Sequence, residues 1–333
     1  MRSPRRLLVL PVMLLVVATA ACAGGREALT IYSGRDEALV GPLLEDFAEE
    51  TGIDIDVKYG DSGDLALLIA EEGDASPADV FLSQSPGPAE FLQQEGRLGA
   101  IPGEARDLVP PEWQGRDGEW VGVTARQRVL VYNTEMVAEE DLPESVFDLV
   151  RPEYEAAVAV APTNASFQDF VTAMRATEGD AAARDWLEGM AANRSPAYAD
   201  NSSIVAAVGR GEIPMGLVNH YYNYRALEED PDAPSANYVF PSGDLGSLLI
   251  ASTVSVLGSA DDAERANRFV EFLLTEDAQE YFSEETFEYP LAEGAAAAAE
   301  LPPLDEDAGL VVELSELGDL RTTAQMIEDS GLL

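Results

Sequence analysis

Three tyrosines fall within four residues in the run Asn219-His220-Tyr221-Tyr222-Asn223-Tyr224. A phenolate is a hard, anionic oxygen donor, and hard trivalent ions such as ferric iron take it in preference to the imidazole and thiolate that suit softer metals. The same phenols also serve as ordinary amphipathic packing groups with wet hydroxyls. His220 is the one histidine of the chain, and a lone histidine is more often a satisfied surface or core residue than a ligand. It leaves a serine-histidine triad a single arrangement. There is no nucleophile elbow and no His-Glu-x-x-His helix, so the chain is not expected to be an enzyme.

The elements that must position these phenols alternate. Leu29 to Tyr32 reads as a buried strand, Ala38 to Glu50 as a helix, Ile53 to Tyr59 as an alternating strand, Leu65 to Glu72 as a helix and Val80 to Leu82 as a short strand. Such alternation implies a parallel sheet covered by helices. Ligands of these sheets bind at the carboxyl ends of strands, which places Ser33 to Asp36 and Ser83 to Ser85 in a crevice. Further on, Trp120 to Val123 and Val129 to Tyr132 read as strands around a Thr124 to Arg128 loop. Ala157 to Ala161 reads as a strand running through Pro162 to Ser166 into a helix from about Phe167. Met215 to Val218 is a strand that delivers Tyr221 and Tyr222 at its carboxyl end. Ile250 to Leu257 is a strand, Ala263 to Leu274 and Arg321 to Ser330 are helices, and Ala295 to Ala299 is plain helix or connector.

At 333 residues and 46% hydrophobic content the chain has room for two globular domains. Arg2, Arg5 and Arg6 precede an apolar stretch from Leu7 to Ala18 that is too short to span a bilayer. That is a secretory signal, cut either after Ala20 or as a lipoprotein signal of residues 1–21 with Cys22 acylated. The second reading is preferred because Cys22 is the only cysteine. It anchors the chain, through a tether of residues 22–28, to the outer face of the cell membrane; the first leaves it periplasmic. One cysteine also excludes a disulfide framework. The formal charge is −42, and removal of residues 1–21, which hold three arginines and no acid, makes it −45. Such a chain repels nucleic acid and anionic lipid. Lys58 is the only lysine, and acidic runs such as Glu139-Glu140-Asp141 read as solvated faces.

Several segments in one order resemble the bacterial ferric-ion-binding proteins that serve ABC-type iron importers. They are Ile31-Tyr32-Ser33-Gly34, Ser76-Pro77-Ala78-Asp79-Val80-Phe81, Arg126-Gln127-Arg128-Val129, Val131-Tyr132-Asn133-Thr134, Pro162-Thr163, Tyr198-Ala199-Asp200-Asn201-Ser202, Asn219-His220-Tyr221-Tyr222 and Glu288-Tyr289-Pro290-Leu291. The resemblance runs from about Leu29 to the C-terminus. It implies an α/β, two-lobed type II periplasmic binding-protein fold with a ligand cleft between hinged lobes. One lobe is expected over 29–125 plus about 243–298, the other over 126–242 plus about 299–333.

The resemblance further implies that Tyr221 and Tyr222 are ferric ligands from the second lobe. A known branch adds a histidine and a glutamate from the first lobe; the matching places here are Asp36 and Gln84. Asp36 remains a hard carboxylate, although it also suits a helix start ahead of Ala38. Gln84 carries no charge, so a hydrogen bond to a bound water or anion is its more conservative role. A small synergistic anion, carbonate or phosphate-like, is implied beside the metal. Arg126 has the fork geometry for it, and the amides of Asn164, Ala165 and Ser166 lie at a helix start that favours negative charge. Asn201 and Asn219 add donors by the same match, while Arg128 holds either the anion or a structural carboxylate. The implied partners are ferric ion and an ABC transporter permease, with the protein a monomer. The rival reading keeps the fold and binds an organic solute, a phosphorylated sugar or a polyamine.

Overall fold

The computed structural model describes residues 28–299, 301–302 and 319–333; the expected signal, most of the tether and Cys22 lie outside them. Strand β1 (Leu29–Ser33) leads through helix α1 (Glu37–Thr51) to β2 (Ile55–Tyr59), and through α2 (Ser62–Glu72) to β3 (Val80–Ser83) and α3 (Pro86–Gln94). β1 runs parallel to both β2 and β3 and lies between them. α1 buries Leu39, Val40, Leu43, Leu44 and Phe47, one stripe of its surface, against this sheet. It ends at Gly52, whose left-handed φ of 66° suits a residue without a side chain. α3 escapes a propensity reading because it holds Pro86 and Pro88, yet both lie in its first turn, where no helical N–H is lost.

After the single turn α4 (Gly103–Arg106), the expected loop at Thr124 to Arg128 is absent. Trp120–Asn133 is one strand, β4, with all 14 residues buried. Its polar residues break the apolar run in the sequence, but several find partners distant in the chain. Thr124 Oγ1 meets Ser252 Oγ at 2.6 Å, Arg126 reaches Glu288 at 3.5 Å, and Arg128 donates to Asn219 Oδ1 at 3.2 Å.

β4 belongs to both sheets. Residues Trp120 to Gln127 pair antiparallel with β8 (Leu249–Val256), which lies beside β3, and a register irregularity falls between Gly122 and Thr124. From Arg128 the strand pairs antiparallel with β6 (Met215–Asn219), and from Leu130 also with β7 (Ser235–Tyr238). β5 (Val158–Ala159) runs parallel to β6. β9 (Tyr289–Pro290) pairs with Ala125 and Thr124. The order β2-β1-β3-β8-β4-β6-β5 therefore passes from one lobe to the other within a single strand.

Helices α5 (Ala165–Glu178), α6 (Asp180–Ala192), α7 (Asn201–Gly209) and α8 (Tyr221–Glu229) build the second lobe, while α9 (Ala263–Leu273) and α10 (Glu276–Glu284) follow β8. The 295–299 run is connector rather than helix. The last helix, α11 (Leu320–Asp329), is tied to α5 by Thr172 and Thr323 hydroxyls 2.7 Å apart and by an Arg175–Asp319 ion pair at 2.8 Å. Among the described residues no helix is long and apolar enough to cross a membrane.

Candidate functional site

β6 ends at Asn219, and the backbone N–H of His220 donates to Gln127 O at 2.9 Å, so the chain turns out of the sheet at a fixed point. Tyr221 and Tyr222 then open α8 rather than trailing the strand. Their rings stack with centroids 4.1 Å apart. Both residues belong to the first turn of α8, the end at which peptide dipoles favour negative charge. Tyr221 is fully buried, and its hydroxyl has no hydrogen-bond partner. A buried polar group left alone costs about 1–3 kcal/mol, a cost that a cation bound at that oxygen would remove. Tyr222 is 7% exposed and accepts from Gln84 Nε2 at 3.5 Å.

Behind the phenols lies a buried charge cluster that sequence reasoning missed. Arg35, at the carboxyl end of β1, forks onto Glu288 with Nη1 to Oε1 at 2.9 Å and Nη2 to Oε2 at 2.6 Å. Arg126 reaches the same carboxylate at 3.5 Å. Burial acts against the charge of all three. Arg35 is nevertheless held charged by Glu288, and Glu288 is held below the usual carboxylate range by Arg35. Arg126 is pulled below the usual guanidinium range by burial and by Arg35. Burial raises both phenols, Tyr222 the more because the Tyr221 phenol and the Asp36 carboxylate also oppose its ionisation. Arg35 pulls the other way at both, joined at Tyr221 by Arg126. The signal available in the sequence was the place of Arg35 in the first crevice loop and of Glu288 in a recognised segment.

A cavity of about 320 Å³ joins the two lobes here, lined by Asp36, Gln84, Asn164 and Tyr222 together with Glu37, Tyr59, Asp61 and Asp200. Larger hollows of about 650 Å³ against α11 and 700 Å³ beside residues 136–157 reach neither the tyrosine pair nor the buried arginines. Asp36 occupies the N-cap position of α1, but its side chain makes no capping bond and is exposed at the cavity. Gln84 is a cross-lobe clamp. Beyond Tyr222, its Oε1 accepts from Asn164 Nδ2 at 3.4 Å, and its backbone N–H donates to Ser62 Oγ at 2.9 Å.

The expected anion donors meet around Asn164, and not all of them are free. The Asn164 amide donates to Ala161 O at 3.1 Å and the Ser166 amide to Asn164 Oδ1 at 3.2 Å, which leaves Ala165 the only uncommitted amide of the three. Asn201 Nδ2 donates to Asn164 Oδ1 at 3.3 Å, and Asn219 Nδ2 to Ser166 Oγ at 3.3 Å. The arginine that holds a carboxylate is Arg126. Arg128 instead donates to Asn219 and lies over the Phe170 ring at 5.7 Å. Burial and the charge of Arg126 lower Arg128 to about 9. Both arginines keep Nε and Nη2 without a partner, four buried donors that suit an anion.

His220 accepts from the Gln127 backbone N–H through Nδ1 at 3.1 Å and stacks on Tyr289 at 5.0 Å. Burial lowers it to about 4, so it is neutral packing. Tyr224 stacks on Phe287 at 5.7 Å, and the Tyr32 hydroxyl donates to Glu72 at 3.3 Å. Among the described residues no group of three or more His, Cys, Asp or Glu side chains is arranged to hold a metal ion.

Residues 75–312 match the profile of a bacterial extracellular solute-binding protein family. The chain is 32% identical to the Fe(3+)-binding periplasmic protein of Serratia marcescens, over 99% of this chain and 98% of that one. It is 30% identical to the major ferric iron-binding protein of Neisseria meningitidis, over 96% and 97%. Its fold superposes on iron-bound HitA from Pseudomonas aeruginosa with a TM-score of 0.88 and 34% identity, covering 92% of this chain and 99% of that one. With a two-lobed α/β architecture, a cleft between the lobes and these relatives, the chain belongs to the bacterial extracellular solute-binding proteins, in the ferric-ion-binding periplasmic family.

Proposed function

We propose that this protein captures ferric iron outside the cytoplasm through Tyr221 and Tyr222, together with a small synergistic anion, and delivers it to an ABC-type importer. The observation that carries the reading is the stacked, buried phenol pair at the start of α8, with one hydroxyl unpartnered and Arg35 and Arg126 close enough to favour the phenolates. The relatives named for ferric iron support it. Asp36 supplies a further carboxylate from the first lobe. Gln84 holds Tyr222 by a hydrogen bond rather than by ligation.

In this reading the metal meets the tyrosines on one lobe. Arg126, Arg128 and the Ala165 amide hold the anion, with Asn164, Ser166, Asn201 and Asn219 positioning them. The lobe of residues 29–125 and about 243–298 closes over the lobe of 126–242 and about 299–333 to exclude water. Cys22 anchors the chain by its lipid, and the closed protein docks on the permease as a monomer. The test is an absorption spectrum of the purified protein with ferric citrate. A phenolate-to-iron charge-transfer band that bleaches with dithionite is expected; its absence moves the reading to an organic solute such as a phosphorylated sugar.

A further inference from the structure

Asp169, in α5, is fully buried where the two lobes meet. Its Oδ2 accepts from the backbone N–H of Gly87, in the first turn of α3, at 3.4 Å. The buried Ser85 hydroxyl faces the same carboxyl. Asp169 Oδ1 and Ser85 Oγ are both without a hydrogen-bond partner. α3 follows β3 of the first sheet and α5 follows β5 of the second, so this contact bridges the two lobes. The charges that face Asp169 are Arg126 on β4 and Asp61 at the start of α2. Nothing in the proposed ligand chemistry uses this carboxyl.

We propose that Asp169 is a proton-linked closure latch: shutting the cleft moves its carboxylate from water to the α3 N-terminus, where it takes up one proton from solvent. The neutral acid keeps the Gly87 N–H on Oδ2 and no longer needs the solvation that burial removes. The carboxylate form has only the Gly87 amide, the Ser85 hydroxyl and the more distant Arg126 to offset its loss of water.

Burial raises Asp169 to about 7, against the pull of Ser85, Gly87 and Arg126 and with a small push from Asp61. In the open, wet state an ordinary value near ~4 applies. The shut-state value is the higher one, so closure is unpenalised below about 4, is increasingly opposed as pH rises toward about 7, and is opposed by a constant amount above that. Phenol ligation has the opposite sign, since it releases protons. The latch thus partly cancels the proton release of loading in mildly acid solution.

The first readout rests on the ferric reading: protons released per ferric ion loaded, counted with an indicator dye at pH 5.5 and 8.5. Asp169→Asn should release about one proton more than the wild-type protein at pH 5.5 and the same number at pH 8.5. Ser85→Ala, which leaves the carboxyl in place with fewer hydrogen bonds, should carry the wild-type deficit to higher pH. Equal counts for wild-type and Asp169→Asn at pH 5.5 overturn the latch. If neither protein develops the ferric colour, the iron reading fails separately. The latch is then judged on the unliganded proteins by small-angle scattering at pH 8. There Asp169→Asn should favour the shut form by about tenfold or more and contract the radius of gyration, and an unchanged radius overturns it.

Discussion

Arg35 and Glu288 stand 253 positions apart in the chain and meet as a buried two-point ion pair, with contacts of 2.9 and 2.6 Å. The pair ties the loop after β1 to the segment entering β9, on the side of the cleft away from solvent. Replacing Glu288 by Gln leaves two buried guanidiniums without their counter-charge. A loss of ~3–5 kcal/mol of unfolding free energy is expected, measured by denaturant titration of the unliganded protein. A loss below about 1 kcal/mol would show that water, not Glu288, compensates these arginines.

Tyr221→Phe and Tyr222→Phe remove an oxygen each and keep the stacked rings. Each variant should lose the charge-transfer band while its melting temperature stays within a few degrees of the parent. For Tyr221→Phe a small gain in stability is expected, since its hydroxyl is buried without a partner. Absorbance and calorimetry on the same samples separate the two effects, and a band that survives both substitutions removes the phenols from the site.

Loading depends on pH with a definite sign. Burial raises both phenols, so both carry protons at neutral pH in the absence of metal, and a ferric ion must displace them. Affinity should therefore fall with falling pH, approaching ~100-fold per unit where two protons leave. Competition against citrate between pH 6 and 8 reads the slope; a flat profile excludes phenolate ligation.

Gln84→Glu places a carboxylate where the amide now touches Tyr222 and Asn164. A fourth hard oxygen should tighten ferric binding by about tenfold or more, at the cost of the bond donated to Tyr222 in the unliganded state. Asp36→Asn should act in the opposite direction with little effect on stability, because its side chain makes no capping bond. Isothermal titration with ferric citrate reads both.

Gly34→Ala tests how closely the first crevice loop must approach α2. A methyl group there overlaps the Ser62 hydroxyl, the group that accepts from the Gln84 backbone at 2.9 Å. A stability loss of ~1–3 kcal/mol is expected from overpacking, with Gln84 displaced and ferric affinity lowered in the same variant. Gly34→Ala with unchanged affinity would show the clamp to be dispensable.

The fold was readable wherever one period dominated. The β1 to β3 alternation and the strand before Tyr221 lie within three residues of expectation because their apolar spacing has a single interpretation. β4 was misjudged because Arg126, Gln127 and Arg128 read as loop when their partners, Glu288 and Asn219, are unknown. Polar residues in a buried strand are stable only through contacts distant in sequence. The same limit hid the cluster behind the phenols. Arg35 is unremarkable beside Asp36 until the fold brings Glu288 to it, and Gln84 shows its clamp only once Asn164 of the other lobe is in place.

β4 is a member of both sheets, and it carries Arg126 and Arg128 on either side of the point where it leaves one for the other. A rocking of the two proposed halves would bend this strand, and the two guanidiniums would travel with the bend. In the proposed reading capture and motion share an axle: an anion resting on those side chains would alter the stiffness of the pivot itself, and the occupant of the cleft would set how freely the jaws reopen.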